Sequence, residues 1–204
     1  MKRLLALFVL IVASAQAFAQ APVILVLGDS ISAGYGLARV ELGWVELLKT
    51  RLSTEGYGYQ VINASVSGET TAGGLARLPR ALELHHPKIV ILELGGNDGL
   101  RALPIAQMRA NLTQMVELAT AAGAKTLLLG MRMPPNYGPE YTGQFALVFS
   151  DLARDDKLPW VPFLLTDIAL SPTLLQGDDI HPNAAGQPVL LENVWPVLKP
   201  LLHK

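Results

Sequence analysis

Three residues in this chain have the chemical types that serine hydrolysis requires. Ser30 supplies a hydroxyl, His181 an imidazole and Asp178 a carboxylate. A hydroxyl becomes an effective nucleophile when an imidazole within hydrogen-bond reach takes its proton and a carboxylate orients that imidazole. Because Asp178 precedes His181 by three residues, a single turn of the chain presents both side chains to the same side. The sequence therefore predicts a catalytic triad of these three residues.

A second carboxylate, Asp179, lies beside Asp178 and is an alternative orienting acid. Its offset of two residues from His181 would aim it away from the imidazole in a helical turn. Asp178 is therefore the favoured assignment, and separate substitution of the two residues decides between them.

Hydrolysis of an acyl group also requires donors for the oxyanion that forms when the carbonyl carbon is attacked. The sequence offers the backbone N–H of Ser30, the backbone N–H of Gly68 and the side-chain amide of Asn97. A glycine suits the second position because its amide can approach a reacting centre closely. We expect these three groups to form the oxyanion hole.

The elements that must position these groups follow from hydrophobic patterning. Five short apolar segments with polar, glycine or proline boundaries indicate buried strands at 23–27, 59–62, 88–94, 125–130 and 160–164. Helical spacing of apolar residues occurs at 43–52, 71–85, 104–122, 140–154 and 186–202. Strands that are apolar throughout and alternate with helices predict an α/β fold, a three-layer α/β/α sandwich with a five-stranded parallel sheet.

The candidate site residues follow the ends of the predicted strands. Ser30 follows the first strand, Gly68 the second and Asn97 the third, while Asp178 and His181 lie beyond the fifth. An open parallel sheet binds its ligands at the carboxyl ends of its strands. We therefore expect groups that are distant in the sequence to meet around one acyl group.

The N-terminus has the pattern of a secretory signal peptide. Lys2 and Arg3 precede an apolar run at 4–12, and small residues follow up to Ala19. Since a membrane span needs roughly 20 apolar residues, the run is too short for an anchor. We expect a signal peptide at 1–19, a single hydrolase domain at 20–204, and a periplasmic or secreted protein without stable membrane insertion.

Composition narrows the functional classes further. The 16 basic residues nearly balance the 17 acidic ones and form no basic stretch with interleaved aromatics, so nucleic acid is not an expected partner. The chain has no cysteine, which excludes thiol nucleophiles and thiolate metal sites. No spaced cluster of histidines and carboxylates accompanies the triad pair, so we expect neither a metal nor a cofactor.

These motifs resemble the SGNH (GDSL-type) hydrolase family, particularly its branch of bacterial thioesterase I, lysophospholipase L1 and arylesterase. The resemblance covers the mature chain, through the segments 27–30, 63–65, 75–79, 93–101 and 180–183. It implies a flavodoxin-like fold, a metal-free serine mechanism, the oxyanion donors named above and a periplasmic location. One departure concerns Asp179, because members of the family have glycine directly before the isoleucine.

The resemblance also implies acyl-CoA thioesters, aryl esters and lysophospholipids as substrates. Leu100, Leu103 and Tyr137 are candidates for lining an acyl pocket, although packing of a loop onto the sheet explains the two leucines equally well. Two alternatives stay open, a carbohydrate acetylesterase of the same family and a catalytically silent binding protein. A monomer is expected because no exposed apolar stripe is evident.

Overall fold

The computed structural model describes residues 21–204, so the predicted signal peptide at 1–19 lies outside the described residues. The strands are β1 (Val23–Gly28), β2 (Gln60–Asn63), β3 (Ile89–Glu93), β4 (Lys125–Leu129) and β5 (Trp160–Val161). The α-helices are α1 (Ser30–Ala33), α2 (Trp44–Thr54), α3 (Thr71–His85), α4 (Gly96–Leu100), α5 (Ile105–Ala121), α6 (Pro139–Asp155) and α7 (Gln187–Leu198). Short 3-10 turns occur at Val40–Leu42, Pro135–Tyr137 and Lys199–Leu201.

The five strands form one parallel sheet in the order β2-β1-β3-β4-β5. Helix α2 packs against α7 on one face, while α3, α5 and α6 pack side by side on the other. The predicted fold class, a three-layer α/β/α sandwich with a five-stranded parallel sheet, is therefore confirmed. From β1 the chain runs to one edge of the sheet, and from β3 it runs to the other. Ligands of open α/β sheets bind in the crevice that such a reversal opens between adjacent strand ends.

The central strands are buried from end to end, which explains their continuous apolar sequences. All six residues of β1 and all five of β3 are buried, because helices cover both sides of the sheet. One residue breaks the apolar pattern: Glu93, the last residue of β3, is completely buried. A buried carboxyl at the end of a central strand needs hydrogen-bond partners, and these lie in the functional site.

The structure differs from the sequence-based boundaries at three places. The fifth strand ends at Val161 rather than at position 164 because Pro162 has no N–H to donate to the sheet. The last helix ends at Leu198 and continues only as a 3-10 turn. The short helices α1 and α4, four and five residues long, were not predicted because so few residues give no periodic signal.

Within residues 21–204 no helix is both long and apolar enough to cross a membrane.

Candidate active site

The structure brings the three predicted triad residues into one hydrogen-bonded row. The Nε2 atom of His181 lies 2.8 Å from Oγ of Ser30. On the other side of the ring, Nδ1 lies 2.6 Å from Oδ2 of Asp178. Ser30 is the first residue of α1, directly beyond the end of β1, whereas the other two lie in the loop that precedes α7. The arrangement is that of a hydroxyl, a base and an orienting carboxylate.

The Asp178 carboxylate is fixed by its own loop. Its Oδ1 atom accepts hydrogen bonds from the backbone N–H groups of Ile180 and His181, each at 3.0 Å. Partial burial acts to raise the pKa of Asp178, but these two amides and the imidazole outweigh it and lower the pKa from 3.8 to about 2. Asp178 is therefore ionised at any pH near neutrality, as an orienting carboxylate must be.

The alternative acid, Asp179, has a different structural role. Its backbone is in the left-handed region, with φ of 57°, and its N–H donates to the carbonyl of Gln176 at 3.1 Å. This region favours glycine and is tolerated by aspartate. The requirement for a positive φ explains why a glycine suits this position. In the structure the carboxylate hydrogen-bonded to Nδ1 of the imidazole is that of Asp178 and not that of Asp179.

The three predicted oxyanion donors belong to the segments that follow β1, β2 and β3. Within the described residues 21–204, the backbone N–H groups of Ser30 and Gly68 donate to no protein acceptor. The Nδ2 atom of Asn97, in α4, donates to Oδ2 of Asp29 at 3.0 Å. An amide nitrogen carries two hydrogens, so one remains for a ligand. All three groups are thus able to donate to a bound oxyanion.

Gly68 has a backbone conformation that accounts for its residue type. Its φ is +78°, where a side chain would be strained, and its carbonyl accepts a hydrogen bond from Nη2 of Arg101 at 2.9 Å. Arg101 directly follows α4, which carries Asn97. The contact ties the segment with the second donor to the segment with the third.

Asp29, the residue before the nucleophile candidate, organises two groups at once. Its Oδ1 caps α1 by accepting from the N–H of Ile31 at 3.0 Å, and its Oδ2 holds the amide of Asn97. Burial raises the pKa of Asp29, although the Ile31 amide and the proximity of His181 act in the opposite direction. Asp29 thus caps the helix that begins with Ser30 and also positions the amide of Asn97.

Glu93 lies directly beneath this turn. Its Oε2 accepts from the N–H of Asp29 at 3.1 Å and from the hydroxyl of Ser32 at 2.7 Å. A Cβ atom at Gly28 would lie only 2.6 Å from the same oxygen, so glycine makes room for the carboxyl group. Burial, and then the charge of Asp29, raise the pKa of Glu93 well above its usual range. We assign the proton of this carboxyl pair to Glu93, the more deeply buried member.

Several apolar side chains lie on the segments around the triad. The ring of Tyr35 lies against that of His181, with centroids 4.7 Å apart. Of the predicted pocket residues, Leu100 is half-buried against the core and Leu103 is exposed. Tyr137 is half-buried, and its hydroxyl donates to the carbonyl of Leu100 at 3.0 Å. The structure thus places Tyr137 against the segment that follows Asn97.

Sequence reasoning missed several residues that shape the site, most of all Glu93. A carboxylate closing an otherwise apolar strand was a usable signal for it. The contact of Tyr35 with His181 had no such signal, because it depends on the packing of two loops that are far apart in the chain. Residues 21–204 contain no group of three or more histidine or carboxylate side chains placed to hold a metal ion.

Comparison with known proteins defines the class to which this fold and site belong. Residues 26–189 match the GDSL-like lipase/acylhydrolase family. This match extends over most of the chain and includes the end of β1, the other four strands and the segments that carry the candidate site residues. The chain belongs to this family.

Individual relatives agree with that membership. Esterase TesA of Pseudomonas aeruginosa is 54% identical over 184 residues, which cover 90% of this chain and 91% of that protein. Thioesterase 1/protease 1/lysophospholipase L1 of Escherichia coli (strain K12) is 40% identical over 185 residues, covering 91% of this chain and 87% of that protein. A crystal structure of TesA superposes with a TM-score of 0.86 at 53% identity, covering 88% of this chain and 99% of the other.

The protein is thus an SGNH-type hydrolase of the esterase and thioesterase class. The predicted family and the predicted enzyme class are both confirmed by these relatives.

Proposed function

We propose that this enzyme hydrolyses carboxylic esters and thioesters through a covalent acyl-enzyme formed on Ser30. The proposal rests on two hydrogen bonds. Oγ of Ser30 lies 2.8 Å from Nε2 of His181, and Nδ1 of His181 lies 2.6 Å from Oδ2 of Asp178. In the first step Oγ attacks the acyl carbon while His181 takes the hydroxyl proton. His181 then gives that proton to the departing alcohol or thiol.

In the second step a water molecule replaces the leaving group. His181 takes a proton from this water, the hydroxide attacks the acyl carbon, and the carboxylic acid leaves as the proton returns to Ser30 Oγ. Both steps pass through an oxyanion, for which we propose the N–H groups of Ser30 and Gly68 and the amide of Asn97 as donors. Among residues 21–204, no protein acceptor binds the first two groups, which supports this assignment.

For the substrate we propose acyl chains longer than acetyl, carried on aryl or alkyl alcohols, coenzyme A or lysophospholipid. Exposed apolar side chains on the segments around the triad favour this class over acetylated carbohydrate; they are Tyr35, Val66, Leu103 and Ile180. A sugar ligand would call for exposed hydrogen-bonding groups at these positions instead. We propose that Leu100, Leu103 and Tyr137 line the acyl side of the site.

Covalent labelling tests the nucleophile directly. An aryl phosphonate ester that reacts with activated serines should add one phosphonyl group per chain, and peptide mapping should locate it on Ser30. The Ser30→Ala variant should take up none. Labelling of Ser32, Ser65 or Ser67 instead would refute the assignment.

A series of p-nitrophenyl esters tests the substrate class. The proposal requires kcat/KM to rise from the acetate to the octanoate ester. It also requires the enzyme to hydrolyse an acyl-CoA and a lysophospholipid, each at a rate proportional to enzyme concentration. An optimum at acetate with no activity on octanoate would favour the carbohydrate acetylesterase. If Ser30→Ala left every measured activity unchanged, the silent binding protein would be the correct alternative.

We also propose that the chain is exported, with cleavage after Ala19, and that it acts as a monomer. The pattern of residues 1–19 supports the first proposal. Expression in a Gram-negative host, followed by N-terminal sequencing of the periplasmic protein, tests the cleavage site. Light scattering of the purified protein measures its molar mass in solution and thereby tests whether it is a monomer.

A further inference from the structure

The hydrogen bond between Oγ of Ser30 and Nε2 of His181 joins two segments that are 151 residues apart in the sequence. Bonds within the histidine loop orient Asp178 and His181 toward each other, but they do not fix the loop relative to α1. A displacement of about 1 Å is enough to cost a reaction of this kind roughly a hundredfold in rate. The protein therefore requires connections that hold the histidine loop against the nucleophile side.

The carbonyl of Pro182, the residue after His181, is the point where such connections meet. It accepts a hydrogen bond from Nε2 of Gln187 at 3.1 Å and another from Nε2 of Gln176 at 3.1 Å. Both carbonyl lone pairs are thus used by side-chain amides. A shift of Pro182 would break both bonds and move the imidazole beside it.

Gln187 continues the connection through the protein interior. It is 1% exposed, and its Oε1 accepts the backbone N–H of Trp44 at 3.0 Å. The indole N–H of the fully buried Trp44 donates to Oγ of Ser32 at 3.2 Å, two residues beyond the nucleophile. Ser32 in turn donates to Glu93 at 2.7 Å. This buried path leads from Pro182 to the turn that presents Ser30.

Gln176 makes a second connection nearer the surface. The same Nε2 that reaches Pro182 also donates to the carbonyl of Tyr35 at 2.7 Å. The N–H of Tyr35 donates to the carbonyl of Ser30 at 3.0 Å. A Cβ atom at Gly36 would lie 2.0 Å from Oε1 of Gln176, so the glycine leaves space for this side chain.

We propose that Gln187 and Gln176 are positioning residues that hold the Pro182 carbonyl and thereby set the distance between His181 and Ser30. Glutamine suits both positions because one side chain carries two donors and an acceptor. Because either bond alone restrains the carbonyl, each residue partly compensates for loss of the other. This inference rests on the proposed triad.

The experiment compares Gln187→Met, Gln176→Met and the double variant in hydrolysis of p-nitrophenyl octanoate. Active sites are counted by complete phosphonylation, so kcat refers to reactive enzyme only. We expect kcat to fall about tenfold for Gln187→Met and about threefold for Gln176→Met, with KM within about twofold of the parent. The double variant should lose at least the product of the two effects, about thirtyfold.

A smaller loss in the double variant would overturn the proposal, as would a change confined to KM. Gln114→Met, on the exposed surface of α5, is the matched control and should leave kcat unchanged. If Gln187→Met fails to fold, Gln176→Met, at a less buried position, carries the test alone, and an unchanged kcat there overturns the proposal. Activity of Ser30→Ala within tenfold of the parent would instead refute the triad on which the inference rests.

Discussion

The two sides of the catalytic cleft are held in different ways. The histidine loop is held mainly by neighbours in sequence, because Asp178 bonds to groups two and three residues away. Asn183 fixes the end of that loop through partners within ten residues. On the nucleophile side, Asp29 and Ser32 bond to Glu93, more than 60 residues away, and Asp29 bonds to Asn97 at a similar separation.

The difference separates the two requirements of the proposed chemistry. A base and its orienting acid need a fixed mutual geometry, which one turn of chain provides. A nucleophile beside oxyanion donors needs groups from three strands to converge, which only the folded sheet provides. Changes in the histidine loop should therefore affect activity more than stability, whereas changes beneath the nucleophile turn should affect both.

The largest expected effect is that of Ser30→Ala. Loss of a serine nucleophile removes covalent catalysis, and in comparable enzymes such a change lowers kcat by about a millionfold. We expect a loss of several orders of magnitude in ester hydrolysis, with a melting temperature close to that of the parent. Ser53→Ala, at an exposed position in α2, is the control and should retain full activity. Residual activity within tenfold of the parent would show that Ser30 is not the nucleophile.

The next largest effect separates the two adjacent acids of the histidine loop. Asp178→Asn should lower kcat by about a thousandfold to ten-thousandfold, because the imidazole loses the carboxylate that orients it. Asp179→Asn should leave kcat within about twofold, since asparagine also tolerates a positive φ. Steady-state kinetics on one aryl ester measures both values. The reverse order of effects would reassign the orienting acid.

A smaller effect concerns stability on the nucleophile side. The folded-state pKa of Glu93 is raised above its ordinary value of 4.5, so the folded protein retains a proton that the unfolded chain releases. Stability should therefore fall as pH rises from 4.5 toward the folded-state pKa, by at most about 1.4 kcal/mol per pH unit. Glu93→Gln lacks this dependence, so it should gain stability relative to the parent over that range. Urea unfolding of both proteins at pH 5, 6 and 7 measures the difference in their free energies of unfolding. The same pH dependence in both would contradict the assignment of the proton to Glu93.

The smallest effect has the opposite sign and belongs to the histidine loop. Because the folded-state pKa of Asp178 is about 2, below its ordinary 3.8, its ionised form stabilises the fold above pH 3.8. That contribution should disappear as pH falls through about 2, and Asp178→Asn should lack it. Acid unfolding followed by tryptophan fluorescence should show a shallower transition for the variant between pH 4 and 2. An identical transition in the variant and the parent would mean that the ionised carboxylate of Asp178 does not stabilise the fold.

Much of the architecture followed from local patterns. Continuous apolar segments placed β1 and β3 correctly, because a strand buried on both faces has no polar side. The short helix α4 escaped prediction because five residues give no periodic signal. Nothing in the sequence indicated its contacts with a distant segment, where Tyr137 donates to the carbonyl of Leu100 and Tyr141 to that of Gly99. Such contacts leave no periodic trace in either segment.

The triad candidates and the three oxyanion donors could be named from the sequence, because residue type and strand order restrict where such chemistry can occur. The offset of three residues was enough to favour Asp178 as the partner of His181, since that geometry is local. Only the tertiary structure brought His181 within 2.8 Å of Ser30 and placed Glu93 beneath the nucleophile turn. A one-dimensional pattern records which face a residue occupies, whereas contacts across the sheet depend on how several elements pack together.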